Sequence, residues 1–163
     1  MSAEVRRRHR YRLGLTWTGN RGSGTSGYRD YSRDHEVTGA GKPPLLGSSD
    51  PSFRGDPARW SPEELLVAAL SQCHMLWYLH LAAQAGIVVT AYADTPEAVM
   101  AERSDGAGEF VEATLHPKVT LGDPSRVAEA AQLHHRAHDL CFIARSVNFP
   151  VACEPSFRTA PAP

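Results

Sequence analysis

SPEELLVAALSQCHMLWYLHLAAQAG, running from Ser61 to Gly86, decides how the rest of the chain must be arranged. Ser61 can cap a helix, and Pro62 suits the first helical position, where its missing N–H has no intrahelical acceptor. Glu64 stands three residues after Ser61, where its carboxylate reaches back to complete a capping box. Gly86 supplies the left-handed stop. Between them Leu65, Leu66, Val67, Leu70, Met75, Leu76, Trp77, Leu79 and Leu81 point in nearly every direction. A helix apolar all round is buried on all sides. In a chain of 163 residues that requires sheets or a partner subunit around it. Ser71, Gln72, His74 and His80 interrupt the apolar run, so a membrane span is not expected.

The flanking segments supply the sheets. In YRLGLTW (11–17), Tyr11, Leu13, Leu15 and Trp17 alternate with polar or small residues, the pattern of a half-buried strand. TGNRGSGTSG (18–27) is a glycine-rich turn and YRDYSRDHEV (28–37) a polar second strand. TGAGKPPLLGSSDPSFRGDPARW (38–60) reads as an ordered loop or linker, long enough to be functional. IVVTAYAD (87–94) is a strand, Glu97–Glu102 another, and EFVEATLHPKV (109–119) alternates after the Asp105–Gly106 turn. Asp123 and Pro124 open a second helix, DPSRVAEAAQLHHRAHDLCFIARS, carrying Cys141 on its run. A strand near NFPVACE (148–154) and a flexible tail at 158–163 end the chain. The order β, β, helix, β, β, helix, β makes an α+β fold rather than alternating βαβ units.

The length suits one domain, residues 1–163, with residues 1–10 a basic arm. The formal charge is −1 with both signs dispersed, so no nucleic-acid footprint is expected beyond the local run VRRRHRYR (5–12). No charged segment leading into an apolar one follows Met1, so no secretory signal is expected. Three cysteines then read as reduced thiols in a cytoplasmic protein.

Cys73 and Cys141 sit in the two helical stretches. Each alone reads as a small buried hydrophobe. Together, on helices whose axes pack about 8–10 Å apart, they are also a candidate redox dithiol, which bridges only if the Cα atoms approach within about 7 Å. A peroxide-reducing cysteine must be a thiolate, and burial opposes that charge. An arginine is the natural remedy. Lowering a thiol pKa from ~8.5 to ~6 raises the thiolate fraction roughly thirtyfold at neutral pH. The weaker nucleophile gives back on the order of tenfold. The arginine must therefore also orient the peroxide and stabilise the leaving alkoxide.

SPEELLVAALSQCHM, with the cysteine ten positions after Glu63, and AHDLCFIARSVNFPV resemble the OsmC/Ohr family of organic hydroperoxide reductases. GTSGYRDYSRDHEV, SSDPSFRGDP and LHHRAHDLCFIARSVNFPV resemble an OsmC-like subgroup of it. The resemblance covers residues 11–157. It implies an OsmC-like fold, antiparallel sheets around two central helices, in an intertwined homodimer with active sites at the interface. It implies Cys73 as the peroxidatic thiol, Cys141 as the resolving thiol, and Glu63 as the residue that positions an arginine. Helical rise separates Glu63 from Cys73 by ~15 Å, so an intermediary is needed. Arg54 and Arg33 are the foremost candidates, followed by Arg21 and Arg59. The implied partners are an organic hydroperoxide and an external dithiol reductant. His74 directly after Cys73, and Phe142 where a proline often follows the second cysteine, depart from the family pattern.

A rival constellation lies on the second helix. His134, His138 and Cys141 share a face, near His135, with His80 or Cys73 able to complete a metal tetrahedron. The same histidines also read as polar residues on an exposed helix side. No CxxC or carboxylate–histidine pattern supports a metal, so neither metal nor cofactor is expected. The alternative function is a non-catalytic dimer binding a metal or an apolar ligand. Cys153, in a terminal strand, reads as structural.

Overall fold

The computed structural model describes residues 7–159, which fall into two compact units, one ending at Leu65 and one beginning at Leu66. Residues 1–6 of the basic arm and 160–163 of the expected tail lie outside the described residues.

The first unit carries an antiparallel sheet of β1 (Gly14–Trp17), β2 (His35–Thr38) and β3 (Leu45–Gly47). Trp17 pairs with His35, and His35 with Gly47. β1 is shorter than expected and is not half-buried: Tyr11, Leu13 and Leu15 are exposed, Leu15 at 73%. The second strand begins only at His35, because residues before it are drawn into turns. Asn20 accepts from the amides of Gly22 and Gly24, and Arg33 donates to the carbonyls of Tyr28 and Tyr31. The long loop is ordered and contributes β3, then a short 3-10 turn at Pro51–Phe53 capped by Asp50. Arg54 ends that turn in the left-handed region, φ 68°. Gly55 follows where a Cβ would lie 1.5 Å from the Ser49 carbonyl oxygen, so no side chain fits.

α1 (Pro62–Gln84) starts with both capping-box bonds: the Ser61 amide donates to Glu64 Oε2 at 2.8 Å and the Glu64 amide to Ser61 Oγ at 3.2 Å. It ends with Gly86 at φ 68° and the Ile87 amide bonded to the Ala82 carbonyl. The expectation of burial on every side is corrected. Only the i, i+4 stripe Leu70, His74, Tyr78 and Ala82 is fully buried, while Leu76 is 62% exposed. By length and composition alone α1 is apolar enough to cross a membrane. Tyr78 and Ala82 instead join a core with Ile87, Val119, Leu121, Ala130 and Ala137.

In the second unit, β4 (Val89–Ala93), β7 (Lys118–Leu121) and β9 (Ser156–Thr159) form one sheet, and β5 (Glu97–Glu102), β6 (Gly108–Leu115) and β8 (Val151–Cys153) another. The strand read over 109–119 is two strands in different sheets. Pro117, without an amide hydrogen, ends the first, and the Asp94 carboxylate accepts the His116 amide at the corner. The sheets are mixed. β4–β7 and β5–β6 are antiparallel, whereas β6–β8 and β7–β9 are parallel. Parallel pairing needs a long crossover, and α2 (Val127–Leu140), entered through a 3-10 turn at Pro124–Arg126, provides it. Arg158 and Thr159, expected in the tail, belong to β9.

Candidate functional site

α1 sets Cys73 one residue before the buried stripe position His74, so the thiol sits at the edge of the packed face and is only partly covered. Cys141 was expected within the second helix. It is the C-cap residue of α2, with φ −66° and ψ 111°, its amide bonded to the His138 carbonyl. The chain then turns through Ala144–Ser146, and the Ala144 amide donates to Cys141 Sγ at 3.4 Å.

The two thiols are neighbours, both reduced. Burial pushes Cys141 up to about 11; the Ala144 amide opposes that rise, and the neighbouring Cys73 thiol adds to it. Its position at the negative end of α2 also disfavours an anion. Cys141 is therefore held as the neutral thiol. Cys141 is 1% exposed while Cys73 is partly exposed. A reagent from solvent meets Cys73 first.

The surface beside Cys73 is apolar and aromatic. Leu76, Trp77 and His80 line a cavity of about 260 Å³. Trp77 packs edge-on against His80 at 5.8 Å and Phe142 at 5.6 Å, and Phe142 is 68% exposed.

Glu63 and the candidate arginines belong to the first unit. Arg33 is held in place: it bonds two carbonyls and stacks over Tyr28 at 4.4 Å and Tyr31 at 4.1 Å. Arg54 lies 6.0 Å from the Tyr28 ring and shares a polar cavity of about 280 Å³ with Arg21, Arg33, Asp34 and Asp56. Arg59, which ranked behind Arg54 and Arg33 in the sequence, is partly buried. It pairs with Asp34 at 3.7 Å and Asp56 at 3.8 Å, yet its Nη1 is buried with no partner among the described residues. Glu63 Oε2 is orphaned in the same way.

Among the described residues the rival metal set does not converge. Cys141 neighbours Cys73, while His134 meets residues the helical spacing could not reveal: His74 of α1 and Cys153 at the end of β8.

A profile of the family described as OsmC-like protein matches residues 55–156. Among solved structures, an OsmC-like protein of unknown function from Vibrio cholerae is 32% identical, with 91% of this chain and 100% of that one covered and a TM-score of 0.81. An organic hydroperoxide resistance protein from Elizabethkingia anophelis is 20% identical, covering 93% and 100%, with a TM-score of 0.68. The organic hydroperoxide resistance protein OhrB of Bacillus subtilis is 18% identical, covering 91% and 98%, with a TM-score of 0.58. No curated protein sequence matches the chain. With the α+β architecture, the capped α1 and its cysteine, and the extent of both matches, the chain belongs to the OsmC-like family.

Proposed function

We propose that this protein is a thiol peroxidase that reduces organic hydroperoxides to alcohols in the cytoplasm. The observation that carries the reading is the adjacency of a partly exposed Cys73 and a buried Cys141. The Cys73 thiolate attacks the distal peroxide oxygen; the O–O bond breaks, the alkoxide leaves and takes up a proton as the alcohol, and Cys73 becomes a sulfenic acid. Cys141 attacks that sulfur. Its proton leaves with the hydroxyl as water, and a Cys73–Cys141 disulfide remains. An external dithiol then reduces the disulfide.

Glu63 positions the activating arginine. Arg54 and Arg33 fit the sequence pattern, and the unpartnered Nη1 of Arg59 and Oε2 of Glu63 favour Arg59. The cavity of Leu76, Trp77 and His80 favours an apolar substituent on the peroxide. The working form is a homodimer, in keeping with the exposed apolar residues Leu13, Leu15, Leu76 and Phe142. The test is turnover of an alkyl hydroperoxide by purified protein with a dithiol; turnover undiminished in Cys73→Ser would reject the reading.

A further inference from the structure

We propose that His74, His134 and Cys153 form a binding site for a divalent metal ion of the zinc class, with a fourth coordination position open to the cleft beside Cys153. This site is separate from the dithiol and goes beyond the peroxidase reading.

Three elements bring the ligands together: α1 gives His74, α2 gives His134 and the end of β8 gives Cys153. His74 Nε2 and His134 Nδ1 are 2.9 Å apart, and Cys153 Sγ is 3.5 Å from the first and 3.7 Å from the second. Among the described residues this is the one group of three or more histidine, cysteine or acidic side chains whose ligand atoms converge so closely. The imidazoles lie edge to edge in nearly one plane, 5° apart with centroids at 5.2 Å, which is the separation a nitrogen-to-nitrogen hydrogen bond between coplanar rings requires. The two ring nitrogens therefore face each other, one donating its hydrogen to the lone pair of the other, and the sulfur stands beside them.

The sulfur–nitrogen spacing is close to that of a tetrahedral site. Zinc bonds of about 2.05 Å to nitrogen and 2.3 Å to sulfur place tetrahedral nitrogen and sulfur ligands ~3.55 Å apart and two nitrogens ~3.35 Å apart. Both sulfur–nitrogen distances, 3.5 and 3.7 Å, are within ~0.2 Å of the first value. The nitrogen pair must open by ~0.4 Å as the ion replaces the shared hydrogen, with a tilt of the two rings.

The surroundings suit a cation bound by neutral imidazoles and a thiolate. His74 is 1% exposed and His134 3%, and a histidine ligates as the neutral imidazole. Cys153 ligates as its thiolate, which the bound ion stabilises. Mixed nitrogen and sulfur donors select zinc-class ions over calcium or magnesium. A cleft of about 280 Å³, lined by His134, Cys153, His135, His138 and Asp139 among others, provides the entry path. It also holds room for a water at the fourth position. The hydrogen shared by the rings moves to the second nitrogen of the ring that carries it, so both imidazoles ligate neutral, and the binding step balances as one divalent ion bound and one proton released, from the Cys153 thiol.

The test uses full-length protein stripped with a chelator and titrated with Zn²⁺ and, separately, Co²⁺. Expected are one ion per chain, one proton released per Zn²⁺, a higher melting temperature, and for Co²⁺ a thiolate charge-transfer band with tetrahedral visible bands. Cys153→Ser should abolish the charge-transfer band and weaken Zn²⁺ at least ~100-fold, beyond what losing an outer-shell partner costs. Cys73→Ser combined with Cys141→Ser should leave band and affinity in place, so the site stands or falls independently of the peroxidase. No stoichiometric binding would overturn the proposal. So would a charge-transfer band that survives Cys153→Ser and disappears in the double variant.

Discussion

Cys141 caps the C-terminus of α2 with its thiol against that of Cys73, and the two differ in access: Cys141 is 1% exposed, while Cys73 is partly open. In the proposed reaction this difference sets the order: the accessible sulfur meets the oxidant, and the covered one reacts with the sulfenic acid formed beside it.

Cys73→Ser should therefore cut peroxide turnover by at least ~1,000-fold, as loss of a covalent nucleophile does. Cys141→Ser should permit a first turnover and then trap Cys73 as sulfinic or sulfonic acid under excess peroxide. Intact-mass spectrometry of the peroxide-treated variants reads both outcomes.

The orphaned polar atoms at Arg59 and Glu63 lead to a kinetic expectation. Arg59→Met should lower kcat/KM by roughly 100-fold, the scale of losing one donor to a developing oxyanion. Arg33→Met, which removes a guanidinium held by two carbonyls and two tyrosine rings, should cost under ~10-fold. Steady-state kinetics with circular dichroism as a folding control distinguishes them.

Trp77→Ala should raise KM for bulky aryl and alkyl hydroperoxides by about 10-fold or more, because a buried aromatic contact contributes about 1.5–3 kcal/mol. Hydrogen peroxide, too small to reach the cavity wall, should show no such change. An equal effect on both substrates would exclude the cavity of Leu76, Trp77 and His80 from recognition.

In metal-free protein, the buried histidine pair should make stability depend on pH. Burial, then the charge of His138 for His74 and of His74 for His134, hold the folded values at about 4 and about 3. The unfolded chain titrates near ~6.5, so it binds more protons than the folded one between these values. Stability is then complete above about pH 6.5 and falls with acid through that window. Denaturant titrations with chelator present, in wild type and in His134→Phe, should differ in this slope.

Much of the fold was legible because its signals are local. The capping box of Ser61 and Glu64, the stop at Gly86 and the Asp123–Pro124 entry each act within a few residues, and each lies where the sequence places it. What was not legible depends on partners distant in sequence. The break at His116–Pro117 sends one apparent strand into two sheets, and its corner is held by Asp94. The parallel seating of β8 and β9 follows from the α2 crossover rather than from their own residues. The site followed the same division. Cys73 and Cys141 announced themselves by pattern, whereas the meeting of His74, His134 and Cys153 spans three elements that no helical spacing connects.

The most direct measurement is peptide mapping of wild-type protein after one equivalent of an alkyl hydroperoxide, without reductant. A Cys73–Cys141 linkage formed in step with peroxide loss, with Cys153 still alkylatable, is the expected product. Peroxide consumption with both thiols left free, or a bridge through Cys153 instead, would contradict the assignment of this pair.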